Sequence, residues 1–268
     1  MRRTITLMTD FGLSDPYIGV MKGVILTINP DVRLIDLAHQ IIPYDINNAA
    51  FILASNCYYF PPRTIHIAVV DPGVGGPRRP ILVYADEQYF IGPDNGIFSY
   101  VYQRNPECTV RAITESHYFL PPRGTTFQGR DVFAPCAAWL TLNEDAALFG
   151  DEIDDYEKSA FSLPVRSGRA TEGEIIYIDN YGNLITNIDA DLIETVAKEI
   201  NSGPPMVIFN GTDLGKIEAG YLARPVGSPV AVIGGTGYLE IAVNRGSARN
   251  LFNSQVGAKV IVVFGRNE

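Results

Sequence analysis

The sequence predicts an α/β N-terminal domain with a mainly parallel central sheet, followed by a smaller all-β, barrel-like C-terminal domain. In the first half, strand-like segments alternate with helix-like segments long enough to cross over a parallel sheet. In the second half, strand-like segments follow one another across turns rich in glycine and asparagine. The composition shifts from acidic to mixed polar near residues 160–170. We therefore expect the α/β domain over residues 1–163 and the barrel over residues 164–268.

The elements of the first half are defined by apolar periodicity and by the residues that interrupt it. Helical spacing that begins at Tyr17 stops at Asn29 and Pro30, and a later helical pattern stops before Pro61 and Pro62. Short apolar runs bounded by turn residues predict the strands. The expected strands are Thr4–Met8, Val32–Leu37, Thr64–Val70 and Ile81–Ala85, and the expected helices are Tyr17–Ile28, Ile46–Tyr58 and Asp131–Leu142.

The second half has only one helical pattern, Asp191–Ile200, among segments that alternate or are uniformly apolar. The expected strands are Glu174–Ile178, Leu184–Ile188, Pro205–Phe209, Pro229–Ile233, Tyr238–Val243 and Ala258–Phe264. Such a series of short strands favours a barrel or a sandwich.

Composition excludes several classes of protein. The 268 residues are 46% apolar, yet no apolar run is long enough for a membrane helix, and the start MRRTITLMTDFG has no apolar signal segment. The net charge is −9 without any basic block, which disfavours nucleic acid as a partner. Three cysteines without CxxC spacing favour a reducing compartment, and we expect a cytoplasmic protein. The three histidines lack metal-ligand spacing, so no metal site is expected, and His66 within a strand is interpreted as structural.

Four polar segments follow predicted strands or precede a predicted helix, where open α/β sheets bind ligands. They are residues 9–12 (TDFG), 69–79 (VVDPGVGGPRR), 125–135 (TTFQGRDVFAP) and 178–187 (IDNYGNLITN). Each also has a structural interpretation. Asp10 could cap the following helix, and Asp71 and Arg78 could form a salt bridge that only holds their loop. The third segment could be a helix cap, and the fourth an ordinary hairpin turn.

Seven stretches taken together give the chain a clear resemblance. They are TDFG (9–12), DLAHQIIPYDI (36–46), VVDPGVGGPRR (69–79), GPDNG (92–96), TFQGRDVFAP (126–135), IDNYGNLITNI (178–188) and GYLEIAVNRGSA (237–248). In this order they resemble the S-adenosyl-L-methionine (SAM) hydroxide adenosyltransferase family, which is related to enzymes that transfer fluoride or chloride to the same substrate. The stretches are spread over nearly the whole chain.

The resemblance implies both a fold and a reaction. The implied fold is an α/β domain followed by a β-barrel, in a homotrimer that binds its ligand between one subunit's first domain and a neighbour's second domain. The implied reaction is attack of water on ribose C5′ of SAM, giving adenosine and L-methionine. SAM is the substrate, and no cofactor is expected.

The resemblance also implies roles for the substrate-binding residues. Asp10 is similar to the carboxylate that binds the ribose diol, and Tyr44 to an aromatic residue beside the nucleoside. Asp179 resembles the partner of the methionine ammonium, and Asn183 an adenine contact. The residues expected to close the methionine and adenine ends are Thr236, Glu240 and Asn244.

The catalytic set of the family is Asp–Arg–His, and this chain departs from it. Asp71 and Arg78 match the first two residues, but Gln128 stands where the family has histidine, in TFQGRD. A glutamine can hold a water molecule but cannot take its proton. Gly129 resembles a small residue beside the halide in the chlorinating relatives. Two alternatives therefore stay open: a sensor that binds SAM or adenosine without efficient catalysis, and a weak SAM-dependent halogenase.

Overall fold

A computed structural model describes residues 2–121 and 123–265, which form two compact units. The first unit ends at Ser159 and the second begins at Ala160. The boundary expected between residues 163 and 164 falls just after this division, in the irregular segment that precedes the first strand of the second unit.

The first unit is a sheet covered by helices. Its strands are β1 (Thr4–Thr9), β2 (Arg33–Ala38), β3 (Ile65–Val69), β4 (Pro80–Ala85), β5 (Gln88–Pro93) and β6 (Thr109–Ala112). Its helices are α1 (Tyr17–Ile28), α2 (Ile46–Asn56), α3 (Ser99–Arg104) and α4 (Ala134–Thr141). The six strands lie in the order β2-β1-β3-β5-β4-β6.

This sheet is mixed, so the expectation of a mainly parallel sheet is wrong. Strands β2, β1, β3 and β5 are parallel neighbours, but β4 is antiparallel to both β5 and β6. The reason is a two-residue hairpin, because Asp86 and Glu87 both have positive φ, at 48° and 58°. That pair of left-handed residues is the signature of a tight turn whose twist suits antiparallel strands. The strand expected at Ile81–Ala85 therefore turns back into β5, which the sequence patterns did not predict.

Side chains on both faces of this sheet are buried. Ile5 and Leu7 pack on one face with Met21 of α1 and Phe133, whereas Met8 packs on the other face with residues of α2 and α3. Because β1 and β3 are parallel and buried on both sides, the polar segments that follow them emerge at the same edge of the sheet.

The helix expected over Asp131–Leu142 begins earlier and irregularly. Residues Gly129–Phe133 form a π-helical turn that leads into α4. Pro135 has no backbone N–H, so it cannot donate to the Asp131 carbonyl one turn before it. That carbonyl instead accepts a hydrogen bond from Leu120 N–H at 2.9 Å. The wider turn places Gln128 and Gly129 at the start of the helix.

The second unit is an antiparallel sheet with two short helices. Its strands are β7 (Val165–Ser167), β8 (Ala170–Ile178), β9 (Leu184–Asp189), β10 (Met206–Phe209), β11 (Thr212–Lys216), β12 (Pro229–Ile233), β13 (Tyr238–Val243) and β14 (Lys259–Val263). Its helices are α5 (Ala190–Glu199) and α6 (Ala248–Phe252). The strand order is β11-β10-β14-β8-β9-β13-β12, with β7 paired to β8.

This sheet closes almost completely on itself, which confirms the predicted barrel-like architecture. The long strand β8 pairs with β14 through its first part and with β9 through its second part. The two ends of the sheet then meet, since Glu218 N–H, just after β11, donates to the carbonyl of Ala231 in β12 at 2.8 Å. Within the described residues, no helix of either unit has the length and apolarity to span a membrane.

Candidate active site

The first unit has a cavity of about 360 Å³ at the edge where β1 and β3 end. Five of the residues predicted from the sequence line it, together with an apolar wall that includes Phe11, Phe127 and Phe133. The five are Asp10, Tyr44, Asp71, Gln128 and Gly129. The fold of the first unit therefore brings together residues from four separate segments of the chain.

Asp71 and Arg78 form an ion pair at this cavity, and the Asp71 side chain is part of the cavity wall. Arg78 Nε donates to Asp71 Oδ1 at 3.1 Å, and Arg78 Nη2 makes a second, short contact with Oδ2. Only 4% of the Asp71 side chain and 10% of the Arg78 side chain are exposed. The loop between them turns back on itself through Gly75, whose φ is 80°. A bidentate arginine–carboxylate pair fixes the direction of the carboxylate as well as its charge.

Gln128 is the third member of this cluster. Its Oε1 accepts a hydrogen bond from Arg78 Nη1 at 2.6 Å. Since a guanidinium has only donors, this contact fixes which end of the amide faces Arg78. The amide nitrogen of Gln128 is consequently the donor left for the cavity that the residue lines.

Asp10 and Tyr44 are held next to each other by the backbone. Tyr44 N–H donates to Asp10 Oδ2 at 3.0 Å, and Tyr44 has a positive φ of 67°. Its ring is 72% exposed. The Tyr44 backbone is therefore constrained while its aromatic face is open, as a surface for stacking a flat ligand requires.

The second unit has a larger cavity of about 630 Å³. Three of the predicted substrate residues line it: Asp179, Asn183 and Asn244. Asp179 and Asn183 belong to the hairpin turn between β8 and β9. The interpretation of this segment as an ordinary hairpin turn predicts the same position. Asp179 Oδ1 accepts hydrogen bonds from Tyr181 N–H and Asn183 N–H, both at 2.9 Å, and Asn183 Nδ2 donates to Asp179 Oδ2 at 2.9 Å.

Glu240 and Thr236 do not line this cavity. Glu240 lies behind it and accepts a hydrogen bond from Tyr221 Oη at 2.7 Å. Burial raises the pKa of Glu240, while the hydrogen bond from Tyr221 opposes that rise. Thr236 lies in the turn between β12 and β13. Asn244 donates from Nδ2 to the Arg224 carbonyl at 2.7 Å.

Tyr221 lines this cavity, and the sequence patterns did not identify it. Burial, followed by the contact with Glu240, raises the pKa of Tyr221 to about 12. The phenol therefore keeps its proton and remains a donor at neutral pH. Tyr221 lies in a short turn with no motif around it, and only the fold brings it to Glu240.

The cluster in the first unit suits orientation of a small nucleophile. It combines a fixed carboxylate, a guanidinium and an amide donor beside an apolar wall. Among residues 2–121 and 123–265, no group of three or more His, Cys, Asp and Glu side chains is placed to hold a metal ion.

Family models match both parts of the chain. The SAM hydroxide adenosyltransferase N-terminal domain matches residues 5–150, and the C-terminal domain of the same family matches residues 173–261. The chain belongs to the SAM hydroxide adenosyltransferase family.

Individual relatives agree with that membership. An (R)-S-adenosyl-L-methionine hydrolase from Thermus thermophilus is 36% identical, over 96% of this chain and 98% of the relative. A solved structure of an uncharacterized conserved protein from Thermotoga maritima has a TM-score of 0.89 at 31% identity, and the match covers 97% of this chain and 99% of that one. A fluorinase from Actinoplanes sp. is more distant, at 26% identity over 96% of both chains.

Proposed function

We propose that this protein hydrolyses SAM to adenosine and L-methionine by attack of water on ribose C5′. The Asp71–Arg78–Gln128 cluster, of which Asp71 and Gln128 line the cavity, carries the proposal. The similarity to (R)-S-adenosyl-L-methionine hydrolases over nearly the whole chain supports the same reaction. SAM is the substrate, and the proposed reaction needs no cofactor.

The reaction is an in-line displacement. The water oxygen forms a bond to C5′ as the C5′–S bond breaks, and the bonding electron pair returns to sulfur. The sulfonium thereby becomes the neutral thioether of methionine, so the leaving group needs no proton. The main demand on the protein is to hold water behind C5′ in line with sulfur, and such positioning can contribute about 7–11 kcal/mol.

Asp71 and Gln128 orient that water in this proposal. Because Arg78 engages both oxygens of Asp71, the direction of the carboxylate is fixed. The water donates to Asp71 and accepts from the Gln128 amide nitrogen. Its proton leaves late, after C–O bond formation has made the attacking oxygen positive and strongly acidic, and it passes to the Asp71 carboxylate and from there to solvent.

The remaining predicted residues bind the substrate. We assign Asp10 to the ribose diol, Tyr44 to the nucleoside face and Gly129 to the space beside the reacting carbon. In the second unit, Asp179 is assigned to the methionine ammonium and Asn183 to adenine. The supporting residues at that end are Asn244, Glu240 and Thr236. We further propose a cytoplasmic homotrimer in which the first unit of one subunit and the second unit of a neighbour complete each site.

The decisive experiment is incubation of the purified protein with SAM in water enriched in ¹⁸O. Chromatography and mass spectrometry should find adenosine and methionine in equal amounts, with ¹⁸O in the 5′-hydroxyl of adenosine. Binding of SAM without adenosine formation would instead identify a sensor. Adenosine without ¹⁸O would rule out attack of water at C5′.

Halide transfer is the second candidate, and the similarity to a fluorinase together with Gly129 in the cavity wall favours its inclusion. The Asp71 carboxylate opposes it, because a fixed negative charge repels an anion at the same place. Incubation with SAM at high chloride should yield adenosine and no 5′-chloro-5′-deoxyadenosine.

A further inference from the structure

His39 is a buried histidine that lies between two loops of the first unit. Its side chain is only 2% exposed. One loop, residues 9–12, carries Asp10, and the other, residues 39–44, carries Tyr44. Both of those residues line the cavity, whereas His39 does not.

Each ring nitrogen of His39 lies within hydrogen-bond distance of a side-chain oxygen. Nδ1 lies 2.9 Å from Thr9 Oγ1, and Nε2 lies 2.9 Å from Asp36 Oδ1. Asp36 is held in turn by Lys22 Nζ at 2.6 Å from Oδ2. A carboxylate accepts, so Nε2 donates to Asp36, and in the tautomer that carries its proton on Nε2 the Nδ1 atom accepts the Thr9 hydroxyl proton.

Thr9 and His39 also accept hydrogen bonds from backbone N–H groups of the loop that carries Asp10. The Thr9 hydroxyl, which donates to His39, accepts a hydrogen bond from Phe11 N–H at 3.3 Å. The carbonyl of His39 accepts from Gly12 N–H at 2.8 Å. His39 therefore holds the residues on both sides of Asp10, through its ring and through its backbone.

A third contact joins the two loops at the cavity. Tyr44 N–H donates to Asp10 Oδ2, which leaves Asp10 Oδ1 free of any donor from the described residues. The direction of that free oxygen depends on both loops, and His39 is the buried side chain that links them.

We propose that His39 is a positioning residue for recognition of the ribose hydroxyl groups, acting through Asp10. The proposal rests on the assignment of Asp10 to the ribose diol. A carboxylate aimed at two adjacent hydroxyl groups discriminates between a ribonucleoside and a deoxynucleoside only while its direction is fixed. Loss of the Thr9–His39 hydrogen bond would let the loop that carries Asp10 move, so that the carboxylate is still present but its direction is less well fixed.

The chain contains a matched control for this role. His66 is fully buried, its Nδ1 lies 2.7 Å from Thr6 Oγ1 on the same strand β1, and its Nε2 lies 3.2 Å from Gln88 Oε1. His66 is the second residue of β3, so this threonine–histidine pair lies at the end of the strands away from the cavity. Burial lowers the pKa of His66 to about 4, so the His66 ring is uncharged at neutral pH.

The test measures binding of adenosine, 2′-deoxyadenosine and 3′-deoxyadenosine to the full-length protein by calorimetry. Wild type should bind adenosine about 10- to 100-fold more tightly than either analogue, as expected for hydrogen bonds to a charged group. His39→Gln can still reach Asp36 but not Thr9, and it should reduce that preference to about threefold or less. His39→Asn places an acceptor near the position of Nδ1 and should retain most of the preference.

The control variant His66→Gln should lower the melting temperature and leave the preference for adenosine unchanged. Thr9→Val removes the same hydroxyl contact from the other side and should reproduce the effect of His39→Gln, which keeps the test valid if the latter does not fold.

Undiminished discrimination in both His39→Gln and Thr9→Val would overturn the proposal, as would an equal loss in His66→Gln. A wild-type protein that does not discriminate at all would remove the diol role of Asp10 and this proposal with it. The ¹⁸O result for hydrolysis would stand independently of that outcome.

Discussion

Asp71 in the first unit differs from Asp179 and Glu240 in the second unit in what neutralises its carboxylate. In the first unit, Asp71 is paired with the guanidinium of Arg78. In the second unit, the donors to Asp179 and Glu240 are backbone N–H groups, an amide and a phenol, all of them uncharged. Asp71 is paired with a cation of its own unit, whereas among the described residues no lysine or arginine forms an ion pair with Asp179 or Glu240.

This difference suggests where a charged ligand binds. A partly buried carboxylate without a cation is costly, and a ligand ammonium offsets that cost. A carboxylate already paired with arginine gains less from a ligand cation and is better suited to directing a neutral molecule. We therefore propose Asp179 as the partner of the methionine ammonium of SAM and Asp71 as the group that directs the attacking water.

Removal of the charge on Asp71 should have the largest effect. In Asp71→Asn the volume is preserved, but the charge that pairs with Arg78 is lost and one of the two acceptor oxygens is replaced by a donor. We expect adenosine formation to fall by about 10²- to 10⁴-fold while the dissociation constant for SAM changes little. Single-turnover kinetics and calorimetry would separate the two quantities, and full turnover in this variant would show that Asp71 does not orient the water.

Removal of the charge on Asp179 should affect binding instead of turnover. Asp179→Asn keeps an oxygen for the N–H groups of its turn but loses the attraction for an ammonium. We expect KM for SAM to rise about 10- to 100-fold, with kcat nearly unchanged. The affinity for adenosine, which has no ammonium, serves as the control. A fall in kcat at constant KM would contradict the division of roles between the two units.

Replacement of the neutral member of the first cluster should have a smaller effect, in the opposite direction. The imidazole in Gln128→His can accept the water proton near neutral pH, which an amide cannot do. We expect turnover between that of wild type and about tenfold above it. Gln128→Leu, which cannot bond to Arg78 or to water, is the matched control and should be slower. A sharp loss in Gln128→His would refute the proposed place of this residue beside the water.

The smallest effect is expected at Tyr221. Burial raises the pKa of Glu240 and the Tyr221 hydroxyl opposes the rise, so removal of the hydroxyl should raise the pKa further. As the solution is acidified, Glu240 in Tyr221→Phe would then lose its charge at a higher pH than in wild type. In wild type we expect KM for SAM to rise as the pH falls and Glu240 is protonated. In Tyr221→Phe this rise should shift to higher pH by the same amount as the pKa of Glu240. An unshifted profile would show that the charge of Glu240 does not contribute to binding.

The architecture was predictable wherever the pattern of the chain is local. The strands and helices around β1, α1 and β3 follow from apolar periodicity and from the prolines and asparagine that end it. The mixed sheet was not predictable, because Asp86 and Glu87 are not usual residues for left-handed turns. The π-helical start at Gly129–Phe133 depends on Leu120, which is distant in sequence, taking the carbonyl that Pro135 leaves free.

The candidate site shows the same limit. Asp71 and Arg78 belong to a single loop, so their pairing could be considered from the sequence alone. Gln128 was identified by its place in a family motif, but its contact with Arg78 joins residues far apart in the chain. The sequence patterns gave no role to Tyr221 or His39, because their partners are set by strand order and loop packing.

The constrained backbone of Tyr44 has a consequence for the speed of ligand exchange. A loop that opens and closes moves in microseconds to milliseconds and often limits turnover, whereas an exposed ring rotates in picoseconds to nanoseconds. Tyr44 has its amide tied to Asp10 and its ring exposed, so it can cover or uncover a nucleoside by side-chain rotation alone. On the proposed role of Tyr44, we expect the rate of adenosine release to depend on the contacts broken and not on opening of the Tyr44 segment.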